Sequence, residues 1–262
     1  MKQGFVKVAS ATPRIRVADP VYNAQVICEQ AKEAAEHGAK IVVFPELCIT
    51  GYTCNDLFLQ ELLLEKAKEA LLTIVEETGQ LEALFLVGLP VDKDGRLYNV
   101  AAVLYRGRIL GMIPKKNIPM YAEFYEGRHF TPGEETVTEY RLGKQEIPFG
   151  TNLLFRCEEL PELILGCELC EDLWVAEPPS TSHALMGATV IANLSASNET
   201  VSKDDYRTLL VKASSARLLC GYIYTSAGEG ESTQDLVFGG HDLIAENGTL
   251  LAQSARFTTG IL

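Results

Sequence analysis

Short unbroken apolar runs alternate along this chain with longer stretches whose apolar residues recur at helical spacing, so strands and helices are expected in turn. "FVKVASATP" predicts a first strand. Asp19-Pro20 supplies an N-cap and a first-turn proline for a helix whose apolar face is Val21, Ala24, Cys28, Ala31 and Ala35 and which stops at His37-Gly38. "AKIVVFPEL" is a continuous run of the kind buried on both faces. Asn55-Asp56 is expected to cap a second long helix, "LFLQELLLEKAKEALLTIVEETG", before "ALFLVGLPV" returns as a strand. "NVAAVLYRGRILGMIPK" reads as two strands about an Arg-Gly turn.

Residues 117–150 show no sustained period and predict an irregular stretch. Beyond them come the apolar run "LILGCELCEDLW", a short helix near 180–187, the strand "ATVIANLSAS" and the helix "DYRTLLVKASSARLLCG". "GYIYTSAG" follows as a strand, and "HDLIAENGTLLAQSARF" as a hairpin with an Asn-Gly turn. No repeat, low-complexity linker or charge block divides the sequence. Residues 1–262 therefore predict one α/β domain, a sheet-rich sandwich whose strand order the pattern leaves open.

Composition narrows the function. A net charge of −12 disfavours nucleic acid and anionic membranes, which need clustered Lys and Arg. "MKQGFVKVASATPRIRV" has no signal-peptide core, and no stretch reaches the ~20 apolar residues of a membrane span; a cytoplasmic protein is expected. Seven cysteines scattered through apolar segments are an odd number and no disulfide framework. With Cys48 and Cys54 six apart and His37, His129, His183 and His241 isolated, a structural zinc site is not expected either.

Three buried-type strands end alike: "IVVF" runs into Pro45-Glu46, "ILGMI" into Pro114-Lys115, and "LILGC" into Glu168-Leu169-Cys170. Ligands of open α/β sheets bind beyond strand carboxyl ends, and a thiol, a carboxylate and an ammonium form a coherent set for acyl transfer. Taken singly, Glu46 or Lys115 is more often a solvated strand boundary, and Cys170 more often a small buried hydrophobe than a nucleophile. Glu168, Glu171 and Asp172 should raise the Cys170 pKa, so a reactive Cys170 requires a cation from elsewhere. Lys115 and Lys116 would face opposite ways on a continuing strand, and only one can serve. Cys167 and Cys170 have redox-pair spacing, yet Cys167 belongs to the strand run, and an odd separation aims the two sulfurs apart.

"FPELCITGY", "IPKKNIP" and "CELCEDLW" resemble the Glu, Lys and Cys signatures of the nitrilase (carbon–nitrogen hydrolase) superfamily. "GYTCNDLF", "YAEFYEGRHF", "NLSASN" and "GEGESTQDLVFGGHDLIAENG" are similar to the N-terminal glutaminase domains of glutamine-dependent NAD synthetases within it. The resemblance covers essentially the whole chain and implies a nitrilase-type α-β-β-α sandwich. It implies Glu46 as general base, Lys115 as the cation, Cys170 as nucleophile and Glu123 as a second glutamate orienting the lysine. It further implies glutamine contacts at Tyr121 and Ser197, a basic contact to the substrate carboxylate at Lys203, and an oxyanion donor in the Glu171 N–H. Lys203 stands where relatives often carry arginine, keeping the charge without the bidentate fork.

No metal or organic cofactor is then expected for hydrolysis of L-glutamine to glutamate and ammonia. ATP and Mg would serve only a synthetase domain that amidates deamido-NAD. That domain's Ser-Gly-Gly-x-Asp-Ser type phosphate loop is not in this sequence, and truncation is favoured over a separately encoded partner. Homo-oligomerisation is implied by resemblance alone. A stand-alone amidase for another small amide and a non-catalytic assembly module are the competing readings.

Overall fold

The computed structural model describes residues 4–262; Met1–Gln3, the start of the segment tested for a signal-peptide core, lie outside them. Two sheets pack face to face. The first has the order β14-β1-β2-β3-β4-β5-β7-β6, built from β1 (Val8–Thr12), β2 (Ile41–Val43), β3 (Leu84–Lys93), β4 (Arg96–Tyr105), β5 (Arg108–Pro114), β6 (Thr138–Leu142), β7 (Gln145–Phe149) and β14 (Gly260–Ile261). The second has the order β13-β12-β11-β10-β9-β8. Its strands are β8 (Phe155–Arg156), β9 (Ile164–Leu169), β10 (Val190–Ser195), β11 (Gly221–Ser226), β12 (Leu243–Glu246) and β13 (Thr249–Gln253).

Strand alternation divides the core into layers. Ile41 and Val43 face Leu165, Cys167, Leu169, Ala192, Leu194 and Ile223 in a layer between the sheets. Val42 points the other way, into a layer with α1 (Pro20–Glu36) and α2 (Glu61–Glu77). On the far side Ile191, Tyr222 and Tyr224 pack with Val211 of α4 (Lys203–Leu218), near α3 (Pro179–Leu185). The result is the expected α-β-β-α sandwich. Among the described residues no helix is long and apolar enough to cross a membrane.

Asp19 caps α1 by accepting from the Tyr22 N–H at 3.1 Å. The buried face of that helix is shifted from the expected one: Val21 is 58% exposed, and Ile27 is fully buried. The second helix starts later than Asn55-Asp56. Asn55 has φ 48° and ψ −132°, a 3₁₀ turn spans Tyr52–Leu59, and α2 begins after an extended Gln60. The Asp56 carboxylate is taken instead by Arg128 (2.7 and 2.9 Å) and His129 (3.0 Å).

The stretch expected to be irregular contains the β6–β7 hairpin. "TEYRLGKQEIPF" does alternate, but Pro148 lowers its strand character, and the pair is an edge, in register with the sheet at Met112 and Phe149 and tied to it again by Gln145 Nε2 donating to the Ile109 carbonyl (2.6 Å). Asn247 and Gly248 both lie at positive φ (48° and 84°) in the two-residue turn between β12 and β13, as such turns require.

Candidate active site

Three strand ends converge where the two sheets meet. Glu46 follows β2, and its N–H donates to the Ser195 carbonyl at the end of β10 (3.2 Å), which joins the sheets at this point. β3 passes directly beneath the Pro45–Leu47 turn. Gly88 makes this possible, since a Cβ there would lie 2.3 Å from Leu47 N and 2.6 Å from Pro45 O. Lys115 follows β5, and its N–H donates to the Asn99 carbonyl across the β4–β5 ladder (2.8 Å), so register alone brings Asn99 beside it. Cys170 follows β9 at the start of a 3₁₀ turn, Cys170–Leu173, with φ 42°. Leu47 likewise has φ 51°. Left-handed non-glycine residues beside two of the three reactive groups store backbone strain of the kind that collects at functional sites.

Lys115 is fully buried, and its ammonium donates to Glu46 Oε1 (2.7 Å) and Glu126 Oε1 (2.6 Å). Asn99 Nδ2 donates to Glu46 Oε1 (2.6 Å) and more distantly to Glu126 Oε2 (3.4 Å). The Ala196 N–H donates to Glu46 Oε2 (3.0 Å), and the Tyr52 hydroxyl to Glu126 Oε1 (2.9 Å). Burial pushes the Glu46 carboxyl up to about 7, with Lys115 opposing and Glu126 adding to the rise. For Lys115, burial works against the charge, yet Glu126 and Glu46 prevail and hold its pKa well above the usual lysine value. The lysine is therefore a permanent cation between two carboxylates.

Cys170 is 6% exposed. Burial raises its thiol pKa, Glu46 and Glu126 add to the rise, and Lys115 and a hydrogen bond from the Ala196 amide oppose it. The resting group is a thiol that needs a base. Burial, Glu46 and Glu126 lead that rise, where the acidic neighbours in sequence were expected to do so; each of those neighbours is turned toward other partners. Glu168 bonds the Tyr222 hydroxyl and the Ser180 N–H (2.8 Å). Asp172 accepts from the Leu169 N–H (3.0 Å) and from Asn117 N and Nδ2 (2.8 Å each), so it ties the nucleophile turn to the loop after Lys115. Glu171 accepts from the Tyr121 hydroxyl (3.0 and 2.9 Å). Cys167 is buried in the inter-sheet layer, and all seven cysteines are free thiols. Lys116 turns to the surface and pairs with Glu135 at 2.7 Å.

Glu123 is a correction. It does not touch Lys115; Glu126, eleven residues after the lysine, does. "YAEFYEGRHF" offers two glutamates, and Glu126 is the one on the buried side of the chain, between buried Phe124 and Phe130. Glu123 instead accepts from Asn198 Nδ2. It also lines a cleft with Tyr52, Phe58, Glu126, Phe130 and Leu236. The "GEGES" segment contributes from a distance: Glu231 accepts from the N–H groups of Tyr52 (2.7 Å) and Thr53 (3.0 Å), fixing the turn that aims Tyr52 at Glu126.

Of the expected substrate contacts, Tyr121 is exposed above Glu171, and Lys203 lies at the start of α4 between the rings of Trp174 (5.1 Å) and Phe124 (5.4 Å). Trp174 closes the turn that carries Cys170 and Glu171, so these residues share one wall. Ser197 is buried, with its hydroxyl accepting from Arg207 Nη2 (3.3 Å). Arg207 also bonds Glu199 (2.8 Å), His241 (2.8 Å) and the Asn198 carbonyl (3.1 Å), bracing the loop after β10 from beneath. Sequence reasoning missed Glu126, Asn99, Tyr52, Asp172 and Arg207. The signal for Arg207 was a charge on the buried face of α4, one turn from Lys203.

A profile of the carbon-nitrogen hydrolase family matches residues 7–262. Over 260 residues the sequence is 44% identical to a glutamine-dependent NAD(+) synthetase of Mycobacterium tuberculosis, covering 99% of this chain and 38% of that protein. The structure is similar to that of a glutamine-dependent NAD(+) synthetase from Cytophaga hutchinsonii, with a TM-score of 0.88 at 28% identity over 98% of this chain and 42% of that one. An amidase from Nesterenkonia sp. shares the fold, with a TM-score of 0.76 at 20% identity over 100% of this chain and 90% of that one. The chain thus spans well under half the length of the synthetases it matches.

Proposed function

The chain belongs to the carbon–nitrogen hydrolase family, and from that premise we propose that it is the glutaminase unit of a glutamine-dependent NAD(+) synthetase. The observation that carries the reading is a buried thiol next to a buried carboxylate–ammonium–carboxylate cluster, with a carboxylate and an ammonium on the adjoining wall. The cluster suits amide hydrolysis through a thioester. The pair on the wall, Glu171 and Lys203, suits the ammonium and carboxylate of an α-amino acid.

In the proposed reaction Cys170 gives its proton to Glu46 as the sulfur attacks the side-chain amide carbon of glutamine. The raised Glu46 pKa suits a group that must accept a proton and return it near neutrality. The oxyanion is met by the Lys115 ammonium and the Glu171 N–H, which lies in the first turn of its 3₁₀ helix, where backbone donors lack an internal acceptor. Glu46 protonates the departing nitrogen as the C–N bond breaks, releasing ammonia and leaving the thioester. It then deprotonates a water that attacks the thioester carbon, which frees glutamate and restores the thiol. Glu126 touches no reacting atom in this scheme; it aligns and charges Lys115. Tyr121 and Ser197 complete the pocket.

The ammonia would pass to an ATP- and Mg-using synthetase domain that amidates deamido-NAD, within a homo-oligomer. The test is ammonia release from L-glutamine by wild type and Cys170→Ala, with and without the synthetase region. Wild-type release, abolished in the variant, is the expected result. Turnover of an aliphatic or N-carbamoyl amide with none of glutamine would replace the reading by that of a stand-alone amidase. No covalent adduct at Cys170 with a glutamine-analogue electrophile would make the chain a non-catalytic module.

A further inference from the structure

Glu123 and Lys203, eighty positions apart in the sequence, are joined through one amide. Asn198 donates from Nδ2 to Glu123 Oε1 and accepts at Oδ1 from the Lys203 ammonium. Chemistry sets the direction of that amide, because the carboxylate can only accept and the ammonium can only donate. The Asn198 backbone is held in turn, its carbonyl accepting from the fully buried Arg207 (3.1 Å).

A lysine ammonium is a point charge on a flexible stem and has no geometry of its own. Here it sits between two aromatic faces, which hold a cation without neutralising it. Its one hydrogen-bond partner among the described residues is the neutral Asn198 amide. Burial favours loss of its proton, and Glu123 is among the charges that oppose that loss. A half-buried cation that has no salt-bridge partner among the described residues is ready for an anionic group of a ligand.

We propose that Glu123 and Asn198 form a positioning relay that aims Lys203 at the substrate α-carboxylate, so that Glu123 governs selection of an amino-acid substrate and not cleavage of the amide bond. The inference rests on the glutaminase reading above. Without an acceptor at position 123 the Asn198 amide is free to turn its NH₂ toward the ammonium, and the resulting repulsion releases Lys203 from its slot.

The experiment measures glutamine turnover together with Cys170 alkylation by two reagents, a chloroketone analogue of glutamine that carries the α-carboxylate and iodoacetamide, which lacks it. Glu123→Ala should raise KM for glutamine about tenfold, the scale of one charge-assisted contact, with kcat kept within about twofold. Alkylation by the chloroketone should slow by a like factor, and alkylation by iodoacetamide should be unchanged. Glu123→Gln, whose carbonyl still accepts from Asn198, should recover most of the loss. Lys203→Met should show the same selective defect, and adding Glu123→Ala to it should cost nothing more. Equal slowing with both reagents, a fall in kcat at constant KM, additive defects in the double variant, or no effect would each overturn the relay. A wild type that neither turns over glutamine nor prefers the chloroketone would sink the glutaminase reading instead.

Discussion

Replacing Glu126 by Gln removes one negative charge from the buried cluster while keeping a side chain of the same shape, and its consequences can be worked from the geometry. Lys115 Nζ is 2.7 Å from Glu46 Oε1 and 2.6 Å from Glu126 Oε1. Two acceptors at a tetrahedral angle on one nitrogen lie about 4.3 Å apart, and at an effective dielectric of about 20 two unit charges at that separation repel by roughly 4 kcal/mol, close to 3 pK units. Relaxation of the amide and of Asn99 reduces the effect, and a shift of about 1–2 units is expected. The sign is downward, because Glu126 is one of the groups that raise Glu46.

Glu46 must be ionised to accept the thiol proton, so kcat/KM for glutamine should rise with pH through an acid limb near its folded pKa of about 7. In Glu126→Gln that limb moves to roughly pH 5–6, and the plateau falls by about tenfold because the base is weaker and Lys115 is held on one side only. Ammonia release measured from pH 5 to 9, with unfolding followed in parallel, decides the matter. A limb that stays in place or moves upward, in a folded variant, would refute the coupling of the two carboxylates through Lys115.

Gly88→Ala should lower stability by more than about 2 kcal/mol and depress turnover, because the new Cβ would sit 2.3 Å from the Leu47 nitrogen beneath the turn that presents Glu46; denaturant titration showing wild-type stability would contradict the close approach. Asp242 is buried, accepts from Thr12 and the Ser226 N–H, and has a carboxyl pushed by burial from 3.8 to about 7. Its folded pKa is raised, so the stability it supports is full below about pH 4 and is lost as pH rises toward 7. Asp242→Asn should therefore gain on wild type by about 3 kcal/mol between pH 5 and pH 8, and a difference independent of pH in urea titrations would show that the carboxyl is not so perturbed.

The chemistry at the strand ends was legible because it is local. A buried strand announces itself as a continuous apolar run, and a charged or thiol residue just past its end is conspicuous against that run, as with Glu46 after "IVVF" and Lys115 after "ILGMI". The hairpin at Asn247-Gly248 was legible for a similar reason, since its backbone angles are written in the turn residues themselves. Glu126 was not legible. It competes with Glu123 within four positions of one loop, and only the seating of Phe124 and Phe130 in the cluster around Leu47, Tyr52 and Phe238 decides which carboxylate turns inward. The start of α2 failed likewise, because Arg128 and His129, distant in sequence, claim the Asp56 side chain that would have capped it.

By itself, then, the sequence determined the alternation of strands and helices, the layers they must form to bury their apolar faces, and the identity of a thiol, an ammonium and a carboxylate placed at strand ends. Those properties follow from periodicity and from residue chemistry, which act over a few positions. Tertiary structure alone decided that Lys115 is shared by two carboxylates, that burial and those two carboxylates lead in raising the Cys170 pKa, and that Glu123 reaches Lys203 through Asn198. Each depends on which groups the packing of two sheets brings within a few ångströms in a buried site, where electrostatic interactions are strong and separation along the chain counts for nothing.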